Sequence, residues 1–303
     1  MTDSTIAVSH PVGPAVPPDG GADRYARFDP PVSLLCPRCG LDHAEQGERA
    51  PLIRDGHAMH CVSGHTFDIS RKGVLDLRRH VSASGHYTAE FFRRRVRALR
   101  LGLFDALIDS IRDVLADTSL VHADAGPVAD IGCGDGTVTK AVGAGIGLDL
   151  AMDALRIAAA GGTTQAWIAA DLAHLPFADG SIGVLLDVFS PAEYGEFSRV
   201  APGGTLIKVM PGPRHMEELR GIYGMSANMA ERAGREAGAL MRDHVTILDD
   251  RRVTRTVAIG DEEQAALVAG MSPVSFGRSA RHDALASLGS ITTDCRVVVG
   301  RLP

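Results

Sequence analysis

The chain has 303 residues, 45% of them hydrophobic and 5% aromatic, with a net charge of -6. That length suits one medium domain plus a small one, and the acidic balance argues mildly against an RNA substrate unless a local basic strip does the work. No window is apolar enough for a membrane span or a secretory signal, so a cytoplasmic protein with no membrane partner is expected. Five cysteines are an odd number and poor disulfide material, and three of them cluster, which points to metal.

Residues 1–33 are rich in Pro, Gly, Ala and Asp without periodicity, and read as a disordered tail. Residues 34–80 read as a metal-binding module. Cys36-Pro37-Arg38-Cys39 is a knuckle that offers two thiolates to one ion, and Cys61-Val62-Ser63-Gly64-His65 completes a tetrahedral set from a second hairpin. Zn2+ is the ion expected, in a structural role, since four protein ligands leave no open position. So small a module has little core of its own, and the metal would supply folding energy. His57 and His60 are rival fourth ligands, and free thiols that happen to lie close are the bland alternative.

Residues 81–120 read as linking helices. Phe91, Phe92, Val96, Leu99, Leu103, Leu107 and Ile111 make one apolar helical face over residues 87–116. Arg93, Arg94, Arg95, Arg97 and Arg100 crowd the same stretch. A phosphate-contacting strip and a merely solvated face compete as explanations.

Residues 121–303 alternate strands and helices. Pro127–Ile131 is an apolar strand that carries Asp130 and runs into Gly132-Cys133-Gly134-Asp135-Gly136. Such glycines let the chain turn tightly and let a ligand approach bare backbone at the start of a helix. Strand two, residues 146–150, ends in Asp149, about where a ribose-binding carboxylate is expected. Strand three ends at Asp171-Leu172, strand four runs from Ile182 to Phe189, and Pro202-Gly203-Gly204 turns into strand five. A helix at residues 230–242, a strand at 252–259, a helix at 262–269, a loop at 271–276, a helix at 283–288 and a closing strand at 291–302 follow. An antiparallel pair thus ends a sheet of five parallel strands.

This series resembles the class I S-adenosylmethionine (SAM) methyltransferases. The resemblance implies an α/β fold, a Rossmann-like seven-stranded sheet with the small zinc-binding module at its N-terminal side. It implies that SAM lies against Gly132, Gly134 and Gly136, with Asp130 at its ammonium group, Asp149 at the ribose, Asp171 and Leu172 beside the adenine, and Leu150 as a further cofactor contact. For each acid a helix cap or turn former is the alternative. Methyl transfer needs mainly an acceptor held in line. The acceptor is expected at Asp187-Val188-Phe189-Ser190-Pro191, with Phe189 stacking on a ring and Asp187 as first and His215 as second candidate for the base. A core Phe and a capping Asp are the competing readings.

With the metal half included, residues 34–300 resemble the RlmA family of 23S rRNA guanine-N1 methyltransferases, some of which protect antibiotic producers from their own macrolides. The matching residues are Cys36, Cys39, Cys61, His65, Phe67 and Asp68, then Lys72-Gly73-Val74, the Asp130–Gly136 turn, Phe189-Ser190-Pro191, Pro211-Gly212-Pro213-Arg214-His215 and Met271-Ser272-Pro273. Gly102-Leu103-Phe104 stands where the family has Gly-His-Tyr, and Phe276 where it has Trp. The resemblance implies methylation of a guanine in a 23S rRNA hairpin near the peptide exit tunnel and macrolide-type resistance, with 23S rRNA as partner and a homodimer left open. A methyltransferase of a small-molecule natural product on the same scaffold is the second reading, and a SAM-binding regulator the third.

Overall fold

The computed structural model describes residues 23, 25–29, 33–39, 49–79, 83–122, 124–225, 227–279 and 282–303. The tail expectation for residues 1–22 lies outside them. Residues 26–28, expected within that tail, form a 3-10 turn that buries Phe28 in the core.

Three short strands, β1 (Ile53–Asp55), β2 (Ala58–His60) and β3 (Thr66–Asp68), pair antiparallel in the module. The chain then gives β4 (Val74–Asp76), α1 (Ala89–Leu99), α2 (Asp105–Ala116), β5 (Val128–Ile131), α3 (Thr137–Val142), β6 (Ile146–Asp149), α4 (Met152–Ala158) and β7 (Ala166–Ala169). β8 (Val184–Val188), α5 (Tyr194–Val200), β9 (Thr205–Pro211), α6 (Glu217–Ile222), α7 (Ala227–His244), β10 (Thr246–Ala258), α8 (Glu262–Gly270), α9 (His282–Ala286) and β11 (Ser290–Arg301) complete it.

The large sheet runs β10-β11-β9-β8-β5-β6-β7-β4. β5 to β9 are the five expected parallel strands, and β9, β11 and β10 pair antiparallel, as the sequence suggests. The sheet gains an eighth strand, β4, which pairs parallel to β7 from Val74↔Trp167 to Asp76↔Ala169. Three residues show no periodicity, so the sequence could not announce this strand. Its effect is to join the module to the large sheet. Leu35 N–H donates to the Pro176 carbonyl, and Cys36, Phe67, Leu75, Phe177 and Phe197 belong to one continuous core.

The other face of the sheet is covered by α1, α2, α6 and α8 through Leu99, Leu103, Leu107, Ile111, Leu219 and Val268. Helices on both faces are the usual way to bury a parallel sheet. The helical stretch expected from 87 to 116 is two helices, broken at residues 100–104, where Gly102 has φ +84°. The apolar period runs through the break because Leu99, Leu103 and Leu107 still face the same core.

Candidate active site

β5 and β6 end side by side, and their last residues bring two carboxylates, Asp130 and Asp149, into one region. Asp149 Oδ2 accepts from Gly134 N–H at 2.8 Å and Oδ1 from Ala151 N–H at 2.7 Å. Each oxygen retains a second lone pair for a hydroxyl donor. Asp130 is buried; Thr139 Oγ1 donates to its Oδ2 at 2.6 Å, and its Oδ1 has no partner among the described residues. An orphaned buried carboxylate oxygen is costly, and an ammonium donor would relieve it. Burial, helped by the charges of Asp187 and Asp149, pushes the Asp130 carboxyl up to about 7.

The three glycines of the turn do different work. Gly132 has φ +79°, and a Cβ there would lie 2.2 Å from Ser190 Oγ, so only glycine lets the turn meet the end of β8. Gly134 supplies the N–H to Asp149. Gly136 sits against Trp167, which a Cβ would meet at 2.5 Å; it is a packing position and does not line the cavity. Leu150, Asp171 and Leu172 do line it, and Asp171 also caps the short turn after β7 by accepting from Ala173 N–H.

A cavity of about 660 Å³ runs from this end to an aromatic one formed by Phe104, Phe189 and His215. Phe189 has φ +59° and lies 5.0 Å, ring to ring, from His215 and 5.8 Å from Phe104. Met216 also has a positive φ, +53°. Left-handed backbone at two bulky residues is strain of the sort that collects at functional sites. His215 Nδ1 lies 3.0 Å from the Asp294 carbonyl and 3.3 Å from the Asp294 N–H; in the tautomer that donates to the nearer carbonyl, Nε2 keeps its lone pair. Burial pushes the imidazole down to about 4, so it is neutral at ordinary pH.

Asp187 takes another place from the one expected. It is fully buried, does not line the cavity, and pairs with Lys208 Nζ at 2.7 Å. Its other oxygen accepts from Ser190 N–H, and Lys208 also donates to the Ser190 carbonyl. The pair clamps the turn that carries Phe189. Asp294 is the second clamp: Arg252 grips it with two hydrogen bonds of 2.7 and 2.6 Å, and Arg214 N–H adds a third. Lys208 and Asp294 passed unnoticed in the sequence. For Lys208 a signal was present, since it is the one charged residue of the largely apolar strand Thr205–Pro211, where a charge needs a built partner; Asp294 sits in a mixed strand with Thr292, Thr293 and Arg296 and carries no such signal.

The five arginines separate. Arg93 and Arg94 are exposed and reach Glu90, Arg97 is exposed and reaches Glu263, and Arg100 is exposed. Arg95 turns inward to Asp135 and lines the cavity.

In the module, Cys36, Cys39, Cys61 and His65 present ligand atoms all within 4.8 Å of one another, a set that could hold a metal ion. The Cys39–Cys61 sulfur separation is 3.6 Å, close to the roughly 3.8 Å of two thiolates on a tetrahedral zinc. His65 Nδ1 lies 3.4 to 3.6 Å from the three sulfurs. The rivals His57 and His60 are outside this set, and His60 instead contacts Thr66 Oγ1 at 2.9 Å.

The Asp130 environment gives a pH prediction. A raised carboxyl must lose its proton to meet a cationic ligand, so affinity for a cationic ligand such as the expected SAM should rise from about pH 5 to about pH 7 and then level off. The same group favours the ligand-free fold at low pH and ceases to do so as pH rises through about 7. Asp130→Asn should bind more weakly and with little pH dependence; calorimetry on both proteins checks this, and a wild-type affinity that is flat over that range contradicts it.

Residues 129–190 match a family model described as "Methyltransferase domain". The chain is 31% identical over 264 residues to a Bacillus subtilis (strain 168) protein named "Putative 23S rRNA (guanine-N(1)-)-methyltransferase YxjB", covering 81% of this chain and 91% of that one. It is 30% identical over 254 residues to the Streptomyces fradiae "23S rRNA (guanine(748)-N(1))-methyltransferase", covering 80% of this chain and 85% of that one. Relatives this similar over four-fifths of the chain show the family: the chain belongs to the 23S rRNA (guanine-N1)-methyltransferase family.

Proposed function

We propose that the protein methylates N1 of a guanine in 23S rRNA with SAM as methyl donor, and that this confers resistance to a macrolide-type antibiotic. The observation that carries the reading is the single cavity that joins the Asp130–Asp149 end to the Phe189–His215 end, in a chain of this family. When bound, SAM supplies an electrophilic methyl group. Asp149 orients the ribose, the orphaned oxygen of Asp130 receives the ammonium group, and Leu150 and Leu172 pack beside the adenine.

Phe189 and Phe104 stack a guanine that has left its helix. Guanine N1 holds a proton at neutral pH, and that proton must leave as the N1–carbon bond forms. His215 is placed to accept it at Nε2, being neutral, oriented by the Asp294 carbonyl and part of the cavity wall. Asp187, behind the wall and paired with Lys208, acts through the Phe189 turn that it clamps. The exposed guanidiniums of Arg93, Arg94, Arg97 and Arg100 dock the RNA backbone. The ion pairs of Arg93, Arg94 and Arg97 lie at the surface and are weak, so phosphates can displace the carboxylates at little cost.

Zinc holds the module together through Cys36, Cys39, Cys61 and His65, with the module's β4 edge carrying that order into the catalytic sheet.

Three measurements test this reading. His215→Gln should lower the methylation rate of 23S rRNA by about 10²- to 10⁴-fold with SAM affinity unchanged. Full-rate methylation by that variant rules His215 out, and labelled methyl groups appearing only in small molecules from cell extract, with rRNA untouched, favours the natural-product reading. The Arg93→Glu, Arg97→Glu double variant should lose rRNA affinity and much of its salt dependence while binding SAM normally; unaltered rRNA binding would exclude this docking face. Metal analysis should find about one zinc per chain, and Cys36→Ser should destabilise the whole protein rather than the module alone. Metal-free protein of full stability would refute the zinc role.

A further inference from the structure

Arg95 sits apart from its neighbours on α1. Its side chain is 20% exposed, against 62% for Arg93, 50% for Arg94 and 56% for Arg97. One turn earlier, Phe92 lies over the cofactor turn: a Cβ on Gly134 would be 3.6 Å from its ring. Phe91 and Phe92 pack on Ala151 and Ala154 around the start of α4, and Ala89 N–H donates to Asp153 at 3.1 Å. The inner face of α1 is therefore a roof over the end of the cavity where Asp130 and Asp149 gather.

The guanidinium is held in place under that roof. Nη1 donates to Asp135 Oδ2 at 2.9 Å, and Cζ lies 5.5 Å from the centre of the Phe104 ring. Asp135 is itself immobile, with its other oxygen taking both the N–H and the hydroxyl of Thr137. A guanidinium carries five N–H donors, and the Asp135 contact uses one of them.

Charge balance says what the others face. Among the described residues, those lining the cavity include the carboxylates of Asp130, Asp149, Asp171 and Glu193, and Arg95 as their one guanidinium or ammonium. The amino acid end of SAM carries an ammonium and a carboxylate together. The carboxylates of the cavity suit the ammonium and repel the carboxylate; a carboxylate entering this site needs a fixed cation, and the fork of an arginine matches it in shape.

We propose that Arg95 binds the carboxylate of the methionine moiety of SAM, pre-organised by Asp135 and Phe104. The inference rests on the SAM reading and deepens it. It also takes Arg95 out of the RNA-docking strip and makes α1 a two-sided helix, with the cofactor beneath it and the exposed arginines above.

The test compares two ligands that differ only in this group, S-adenosylhomocysteine and its decarboxylated analogue, by calorimetry on the full chain. Wild type should prefer the carboxylated ligand by about 10- to 100-fold, the range for a hydrogen bond to a charged group. Arg95→Met, which keeps the stem against Phe104, should bind both with nearly equal affinity, and Arg95→Lys should recover part of the preference. If Arg95→Met weakens both ligands equally, the residue is merely structural and the proposal fails. If it keeps the wild-type preference and loses only rRNA affinity, Arg95 belongs to the docking strip and the proposal also fails. Wild type that binds neither ligand would overturn the SAM reading itself. Circular dichroism of both variants keeps misfolding from imitating any of these results.

Discussion

The constraint on which the site depends is the burial of carboxylates at the carboxyl ends of two adjacent parallel strands. Asp130 and Asp149 come together because β5 and β6 pair in register and both chains turn at the same level. Burial disfavours their charged forms, and Asp130 keeps one oxygen unpaired. The ligand-free site is therefore short of positive charge. Under the proposed reading, the ammonium group of a sulfonium cofactor answers this shortage, and Arg95 answers the charge of the same ligand's carboxylate.

The Phe189–His215 end is built on a different principle, local strain held by ion pairs whose carboxylates are buried. Phe189 and Met216 adopt left-handed backbone that neither would choose alone. Each sits beside a clamp: Asp187 with Lys208 for the Phe189 turn, Asp294 with Arg252 for the Gly212–Met216 segment. Gly212 is tied to the second clamp, since a Cβ there would lie 2.5 Å from the Asp294 carboxyl. Removing one partner of such a buried pair would leave a bare charge, so these residues position the ring and the imidazole at high stakes. The cysteine module packs into the same core. Its sulfur cluster shares a core with Phe177 and Phe197, and its exit strand extends the sheet beside Trp167.

Much of this was written in the sequence because the signals are local. The glycine turn, the acids closing strands two and three, and the Cys-x-x-Cys and Cys-x-x-x-His spacings each depend on a few consecutive residues whose backbone geometry admits few alternatives. Family membership and the methyltransferase fold follow from them, as does the set of four metal-ligand candidates. What only the tertiary structure decided depends on which distant residues meet. β4 became an eighth strand because Trp167 and its neighbours offered an open edge, not because Val74–Asp76 has any period. Five arginines that look alike in sequence divide into an exposed group and an inward Arg95, because a helix places successive residues about 100° apart and Asp135 waits on only one side. Asp187 and His215 fell in different places for the same reason: the carboxylate met Lys208, its register partner on the neighbouring strand β9, while the imidazole lines the cavity.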